Sequence, residues 1–229
     1  SQPKVTLFSF SPSIGARPFA EAVALFDQYL AENKSDPKAY VNRGHAQAML
    51  GLYEKALEDF HSGIAIDPLY ADAYFNVGYT LEKLQRKDGA LKAYSRAIAV
   101  DEKHRDSYHN RGILRHELSD NEGSLADLDM ALSLDPEDAM AYFERSKTKI
   151  SLGRRQEAIA DLTQAIELRP DIATFYGNRG FVLLGLLKPK EAVEDLRKAL
   201  ELNPALRPWV DEGVAEFAEV LKKQGIEIP

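Results

Sequence analysis

Apolar and small side chains recur three and four residues apart in two short series within residues 37–70. The first series is Tyr40, Arg43, Gly44, Gln47 and Leu50, and the second is Ala56, Leu57, Phe60, Gly63 and Ile64. This spacing places apolar side chains on one side of a helix, so the pattern predicts two short helices joined by a glycine-containing turn. Neither helix could bury its apolar stripe alone, because short isolated helices are marginal in water, and neighbouring pairs must therefore stack.

The two-helix pattern returns at a constant step of 34 residues. The step is marked by five tyrosines, at Tyr40, Tyr74, Tyr108, Tyr142 and Tyr176. A small residue recurs in the second helix, at Gly63, Ala97, Ala131, Ala165 and Ala199, where two helices must approach closely. Four units end in proline, and the second has Glu102 instead. The chain thus divides into five units, at 37–70, 71–104, 105–138, 139–172 and 173–206.

Shorter segments flank these five units. Residues 1–18 contain three prolines and a glycine and are expected to form an extended arm, either a tether or a segment lying on the repeats. Residues 19–36 match the second helix of a degenerate unit. Residues 207–229 are expected to form a capping helix, from about Trp209 to Gln224, and a tail, with an apolar face of Val210, Val214, Phe217 and Leu221.

The 34-residue period, with its aromatic, Gly, Ala and Pro columns, resembles the tetratricopeptide repeat (TPR). The resemblance implies an all-α, right-handed α-solenoid of tandem helix-turn-helix units with a C-terminal capping helix. It also implies a non-catalytic scaffold for protein–protein interaction, in which the first helices line a concave groove that binds an extended peptide. Two alternatives stay open: a substrate-recruiting or regulatory domain of a larger enzyme, and a structural unit that self-assembles, for example as a homo-oligomer through the N-terminal arm.

An arginine column and an aspartate column run through the same units. Four pairs are predicted within repeats: Arg43 with Asp59, Arg111 with Asp127, Arg145 with Asp161, and Arg179 with Asp195. The repeat at 71–104 has Val77 and Ala93 at these positions, so both partners are absent together. An unpaired buried charge is costly, and the joint absence therefore favours structural ion pairs over a stripe of phosphate-binding arginines.

An asparagine column lies one residue before the arginines, at Asn42, Asn76, Asn110 and Asn178, with Glu144 interrupting it. By resemblance these residues are similar to the asparagine ladder of the O-linked N-acetylglucosamine transferase repeats, which grips a peptide backbone; alternatively, they serve a local polar surface. The other expected groove residues are His45, Phe75, Tyr79, His109, Phe143, Lys147 and Phe181. The aromatic ones either contact the ligand or pack between repeats.

Other classes of function are disfavoured. A formal net charge of −7 and a pI near 5.3 argue against nucleic acid, and no apolar stretch is long enough to span a membrane. The chain has no cysteine, and no catalytic, cofactor or metal motif stands out, so neither an enzyme nor a metal site is expected. The repeats that clamp acidic chaperone tails need Lys and Asn where this chain has Val41 and His45, so such tails are not expected partners. The compartment stays open.

Overall fold

The computed structural model describes residues 17–223 and residue 225, and the regular structure in that range is entirely helical. The predicted all-α helix-turn-helix fold is confirmed. Residues 1–16, the greater part of the expected N-terminal arm, lie outside the described residues.

The chain divides into two compact units, residues 1–102 (the first unit) and residues 103–229 (the second unit). The helices of the first unit are α1 (Arg17–Glu32), α2 (Pro37–Met49), α3 (Tyr53–Ile66), α4 (Ala71–Lys83) and α5 (Lys87–Val100). Those of the second unit are α6 (Arg105–Glu117), α7 (Asn121–Leu134), α8 (Ala139–Ser151), α9 (Arg155–Leu168), α10 (Ala173–Gly185), α11 (Pro189–Leu202), α12 (Arg207–Ala215) and α13 (Ala218–Lys223).

Helices pack in consecutive pairs within each unit. In the first unit α2 packs against α3 and α4 against α5, and α1 packs against α2. In the second unit the pairs are α6 with α7, α8 with α9, and α10 with α11. We call the earlier member of each pair a first helix and the later member a second helix. First helices also contact each other directly, α2 with α4 and α6 with α8, so each unit has a surface built from first helices.

Small residues set how closely the paired helices approach. A Cβ added to Gly44 on α2 would lie 2.7 Å from Cε1 of Phe60 and 3.0 Å from the carbonyl oxygen of Ala56, both on α3. Both α3 residues are at most 1% exposed, so neither can move into solvent. Glycines at the equivalent positions of three other repeats face a buried ring or leucine in the same way: Gly78 faces Tyr94, Gly112 faces Leu128 and Gly180 faces Leu196.

The arginine column clamps the first helix to its own second helix in four of the five repeats. Arg43 donates from Nε to Oδ2 of Asp59 at 2.7 Å and from Nη2 to Oδ1 at 2.6 Å. The same two-pronged contact, at 2.6 to 3.0 Å, joins Arg111 to Asp127, Arg145 to Asp161 and Arg179 to Asp195. The four aspartate side chains are only 4% to 10% exposed, so the fork of the guanidinium supplies partners that water cannot.

Hydrogen bonding to Asp59 raises the pKa of Arg43 above its ordinary value, while burial opposes the rise. In each of these four repeats the guanidinium also lies over the ring of the tyrosine three residues earlier, for example 5.6 Å from the ring centroid of Tyr40. Each arginine is therefore fixed by a carboxylate and an aromatic ring at once.

A third nitrogen of the arginine connects successive repeats. Nη1 of Arg43 donates to Asp27 on α1 at 2.7 Å, and Nη1 of Arg145 donates to Asp129 on α7 at 2.6 Å. Nη1 of Arg179 reaches Oγ1 of Thr163 on α9 at 3.1 Å. In all three cases the acceptor lies sixteen residues before the arginine, on the second helix of the preceding repeat. The clamp therefore joins three helices.

The second repeat replaces the clamp with apolar packing. Val77 and Ala93 are 5% and 8% exposed and belong to one buried cluster with Phe60. Beside them Tyr94 is fully buried, and its hydroxyl donates to the carboxylate of Glu82. An ion pair replaced by well-packed apolar side chains need not lose stability, so this repeat retains the fold without the clamp.

The expected single capping helix is divided into α12 and α13. The Phe217 N–H donates to the carbonyl oxygen of Val214 at 2.8 Å, a three-residue spacing that ends α12 in a tight turn. Phe217 and Leu221 still reach the apolar cluster that includes Leu183 and Val210. Gln224, the expected end of the helix, lies outside the described residues.

We expect Asp127→Ala to lower the free energy of unfolding by about 3 to 5 kcal/mol, because Arg111 and Arg115 both donate to this buried carboxylate and would lose those hydrogen bonds. Asp129→Ala, on the same helix, is the matched control. Its side chain is 55% exposed, so the cost should stay within about 1 kcal/mol. Urea denaturation followed by circular dichroism measures both, and equal losses would contradict a clamp that depends on burial.

Gly44→Ala should destabilise the protein by about 1 to 3 kcal/mol, because the added methyl group would overpack against Phe60 and the α3 backbone. Gly185→Ala is the control. Its nearest neighbour is Nε of Arg155 at 3.5 Å, and the helix preference for Ala then leaves stability unchanged or raised by up to about 1 kcal/mol. The thermal midpoint should fall for Gly44→Ala and stay unchanged or rise for Gly185→Ala, and a stabilised Gly44→Ala protein would refute the close-approach interpretation.

Candidate functional site

The first-helix face of the first unit is formed by α2 and α4. Asn42 and Asn76 occupy equivalent positions on these helices and are half-buried. One turn further along lie His45, which is exposed, and Tyr79, which is 40% exposed. Two amides and two rings thus stand in equivalent rows on adjacent, contacting helices.

The first-helix face of the second unit is formed by α6, α8 and α10. Asn110 and Asn178 lie on the outer two helices, and Glu144 takes the equivalent position on α8; all three are half-buried. Ile113 and Lys147 lie one turn beyond, on α6 and α8, and are also half-buried. This face therefore alternates amide, carboxylate and amide.

Two of the asparagines are oriented by their own helices. Nδ2 of Asn76 donates to the carbonyl oxygen of Asp72 at 2.7 Å, and Nδ2 of Asn178 donates to that of Thr174 at 2.7 Å. A primary amide has two N–H donors and a carbonyl acceptor, so one N–H is used and the other N–H and Oδ1 remain for a ligand. The local bond restricts the side-chain rotamer, so these amides would lose less conformational entropy if a ligand used them.

Three of the four aromatic residues expected in the groove are engaged in packing. The ring of Phe75 lies 5.8 Å from that of the buried Tyr94, and the ring of Phe143 lies 5.0 Å from that of the buried Phe175. Phe181 meets Trp209 of α12 edge to face at 4.8 Å. These three rings therefore bury part of their apolar surface against other side chains, whereas the ring of Tyr79 is exposed to solvent.

Gly177 shows why the C-terminal end of this face is covered. A Cβ at this position would lie 2.4 Å from the indole of Trp209. Positions equivalent to Gly177 in other repeats carry larger side chains, such as Phe75 and Phe143. The missing side chain gives the indole of α12 its space, and α12 thereby occupies surface that sequence reasoning assigned to the groove.

His109 belongs to a charged cluster on the second unit. Its Nδ1 lies 3.3 Å from Oδ2 of Asp138, and Nη1 of Arg105 lies 2.7 Å from the same oxygen. His109, the backbone N–H of Ala141 and Arg105 hold the pKa of Asp138 down at about 2, against the opposing effect of burial. Asp138 also caps the first turn of α8. His109 is therefore part of a structural cluster and is only 14% exposed.

Two residues of the first unit's face were missed in the sequence. Met49 is 46% exposed at the end of α2, and Lys83 ends α4 with Nζ 4.8 Å from the ring centroid of Tyr79. They are equivalent in the repeat, since 34 residues separate them. Both residues lie one helical turn after His45 and Tyr79, so extending the same two rows along the sequence by one turn would have identified them.

Within residues 17–223, no group of three or more histidine and carboxylate side chains is arranged to hold a metal ion. None of the helices described is long and apolar enough to cross a membrane. Neither observation adds a second candidate site.

Family comparison identifies the repeats individually. Tetratricopeptide-repeat models match residues 37–70, 71–104, 139–172 and 173–206, which together make up more than half of the chain. The matched segments flank residues 105–138, where α6 and α7 carry the same arginine clamp. No curated protein matches the sequence.

Solved structures with the same fold have low sequence identity to the chain. YrrB, described as a TPR protein with an unusual peptide-binding site, is 22% identical over 80% of this chain and 94% of its own, with a TM-score of 0.69. MamA from Desulfovibrio magneticus RS-1 is 19% identical over 74% and 96%, with a TM-score of 0.69.

A chain of the APC/C hetero-tetramer Cut9–Hcn1 is 17% identical over 82% of this chain and 38% of its own length, with a TM-score of 0.68. Because these structures are at most 22% identical to the chain, they establish the fold alone. Membership of a family rests on the family-model matches. The chain belongs to the tetratricopeptide-repeat family, whose repeats build scaffolds for protein–protein interaction.

Proposed function

We propose that the chain is a non-catalytic scaffold that binds an extended segment of a partner protein along its first-helix faces. The observation that carries the proposal is the asparagine column, whose half-buried amides recur at the repeat period on first helices. Asn76 and Asn178 are held in one rotamer by their own helices and keep a donor and an acceptor for a ligand. An extended backbone offers N–H and C=O groups in alternation, which such amides can match.

The two units differ in what surrounds their amides. In the first unit, His45 and Tyr79 add exposed aromatic surface next to Asn42 and Asn76. In the second unit, Ile113 and Lys147 accompany Asn110 and Asn178, while Phe143 and Phe181 contribute only the surface that packing leaves free. Apolar contacts supply affinity and the amides fix the register of the bound segment.

The fold comparison agrees with a peptide ligand. YrrB, which shares the fold, is described as having a peptide-binding site. The same faces would serve a substrate-recruiting domain of a larger enzyme, because recruitment also uses a surface that binds a segment of another protein. A self-assembling unit would instead cover these faces with another copy of the chain.

Asn178→Ala should weaken the binding of an extended peptide about threefold to tenfold. This is the change in affinity expected from the loss of one or two hydrogen bonds to a neutral amide. Its fold should be unaffected, since its only described bond is an exposed one within α10. Peptides are first selected on the wild-type protein from a random displayed library, and their dissociation constants are then measured by fluorescence anisotropy.

Gln164→Ala is the matched control, because it removes an amide from second helix α9 of the same unit. This variant should bind the selected peptides as the wild type does. Peptides that bind Asn42→Ala, Asn76→Ala and Asn178→Ala proteins with wild-type affinity would place the binding surface elsewhere. A library that yields no binding peptide would refute the proposed function.

A further inference from the structure

Two lysines on the first-helix faces lie against an aromatic ring, and only one of them is neutralised. In the second unit, Nζ of Lys147 lies 5.6 Å from the ring centroid of Phe143 and 2.7 Å from Oε2 of Glu144. In the first unit, Nζ of Lys83 lies 4.8 Å from the ring centroid of Tyr79. No carboxylate among the described residues forms an ion pair with Lys83, so its charge is available to a ligand.

The surface around Lys83 favours an anionic group. The neighbouring first helix, α2, has no Asp or Glu, although the chain has 36 acidic residues, and it carries the exposed His45. On α4 the carboxylate of Glu82 accepts the hydroxyl of Tyr94. Asp72 lies at the opposite end of α4 from Lys83. The end of this face therefore carries a lysine with no paired carboxylate among the described residues, in a protein whose formal net charge is −7.

Apolar surface lies at the same end of the face. Met49 and Tyr79 are 46% and 40% exposed, and they lie on α2 and α4, which contact each other. A flexible thioether and an aromatic ring adapt to aliphatic side chains of varied shape. A cation beside apolar surface is complementary to a segment in which a carboxylate neighbours an apolar side chain.

We propose that the first-helix face of the first unit selects acidic segments with apolar anchors. Lys83 binds the carboxylate, and Met49 and Tyr79 contact the apolar side chain. The second unit does not share this selectivity, because Glu144 neutralises Lys147. The inference rests on the proposed function and adds to it the chemistry of the partner.

The test uses two synthetic peptides of equal length. One repeats the sequence Leu-Leu-Asp-Asp, and in the other every Asp is Asn. In an extended chain alternate side chains face opposite sides, so the repeat places leucine and the tested residue on both sides. Binding to the full-length, ¹⁵N-labelled protein is followed by amide chemical shifts, which detect weak complexes and report which unit is contacted.

The acidic peptide should bind about twofold to fivefold more tightly than its Asn counterpart, the range of one partly exposed ion pair. It should shift the amides of Met49, Tyr79 and Lys83, and the preference should diminish at high salt. Lys83→Gln should abolish the preference without changing the affinity for the Asn peptide. Lys147→Gln is the matched control and should leave the preference intact.

Three results would overturn the inference: equal binding of the two peptides, a preference that survives Lys83→Gln, or a preference that Lys147→Gln removes. Failure of both peptides to shift the amides of the first unit would also overturn it. In each case, library-selected peptides that still depend on Asn178 would leave the proposed function standing. If the selected peptides bind the Asn178→Ala protein as tightly as the wild type, the proposed function itself is refuted, whatever the two synthetic peptides do.

Discussion

The fork of the arginine guanidinium is the contact that organises four of the five repeats. Two nitrogens bind a buried aspartate on the second helix of the same repeat. A third nitrogen reaches back to the preceding repeat, where Asp27, Asp129 or Thr163 accepts it. A lysine has one compact ammonium group and could not donate to two helices at the fixed angles that the planar guanidinium provides. In the repeats that carry it, the planar cation therefore holds both the paired helices and the preceding repeat in place.

Because the clamp faces second helices, it leaves the opposite surface of the first helices free for other chemistry. Asn42 precedes Arg43 by one residue, and Asn178 precedes Arg179 in the same way. A one-residue step on a helix turns the side chain by about 100°, which separates the clamp from the amide. The clamp and the amides proposed to bind a partner thus occupy neighbouring columns of one helix and do not compete for the same groups.

Packing then decides how much of the amide-bearing surface stays accessible. Phe143 lies against Phe175, and Phe181 lies against Trp209 of the capping segment, so the second unit has lost part of its exposed aromatic area. In the first unit Tyr79 keeps its ring exposed, with Lys83 beside it. Units built from the same repeat therefore present different chemistry to a partner.

The sequence alone determined the repeat period, the helices and the identity of the clamp residues, because these follow from regular spacing and from the joint loss of Arg and Asp at Val77 and Ala93. Only the tertiary structure decided that the capping segment breaks near Phe217, that Phe181 is partly covered, and that Lys83 forms no ion pair with a described carboxylate. Each of these outcomes depends on which side chains from distant parts of the chain pack against one another. The spacing of residues along one helix carries no information about such long-range contacts.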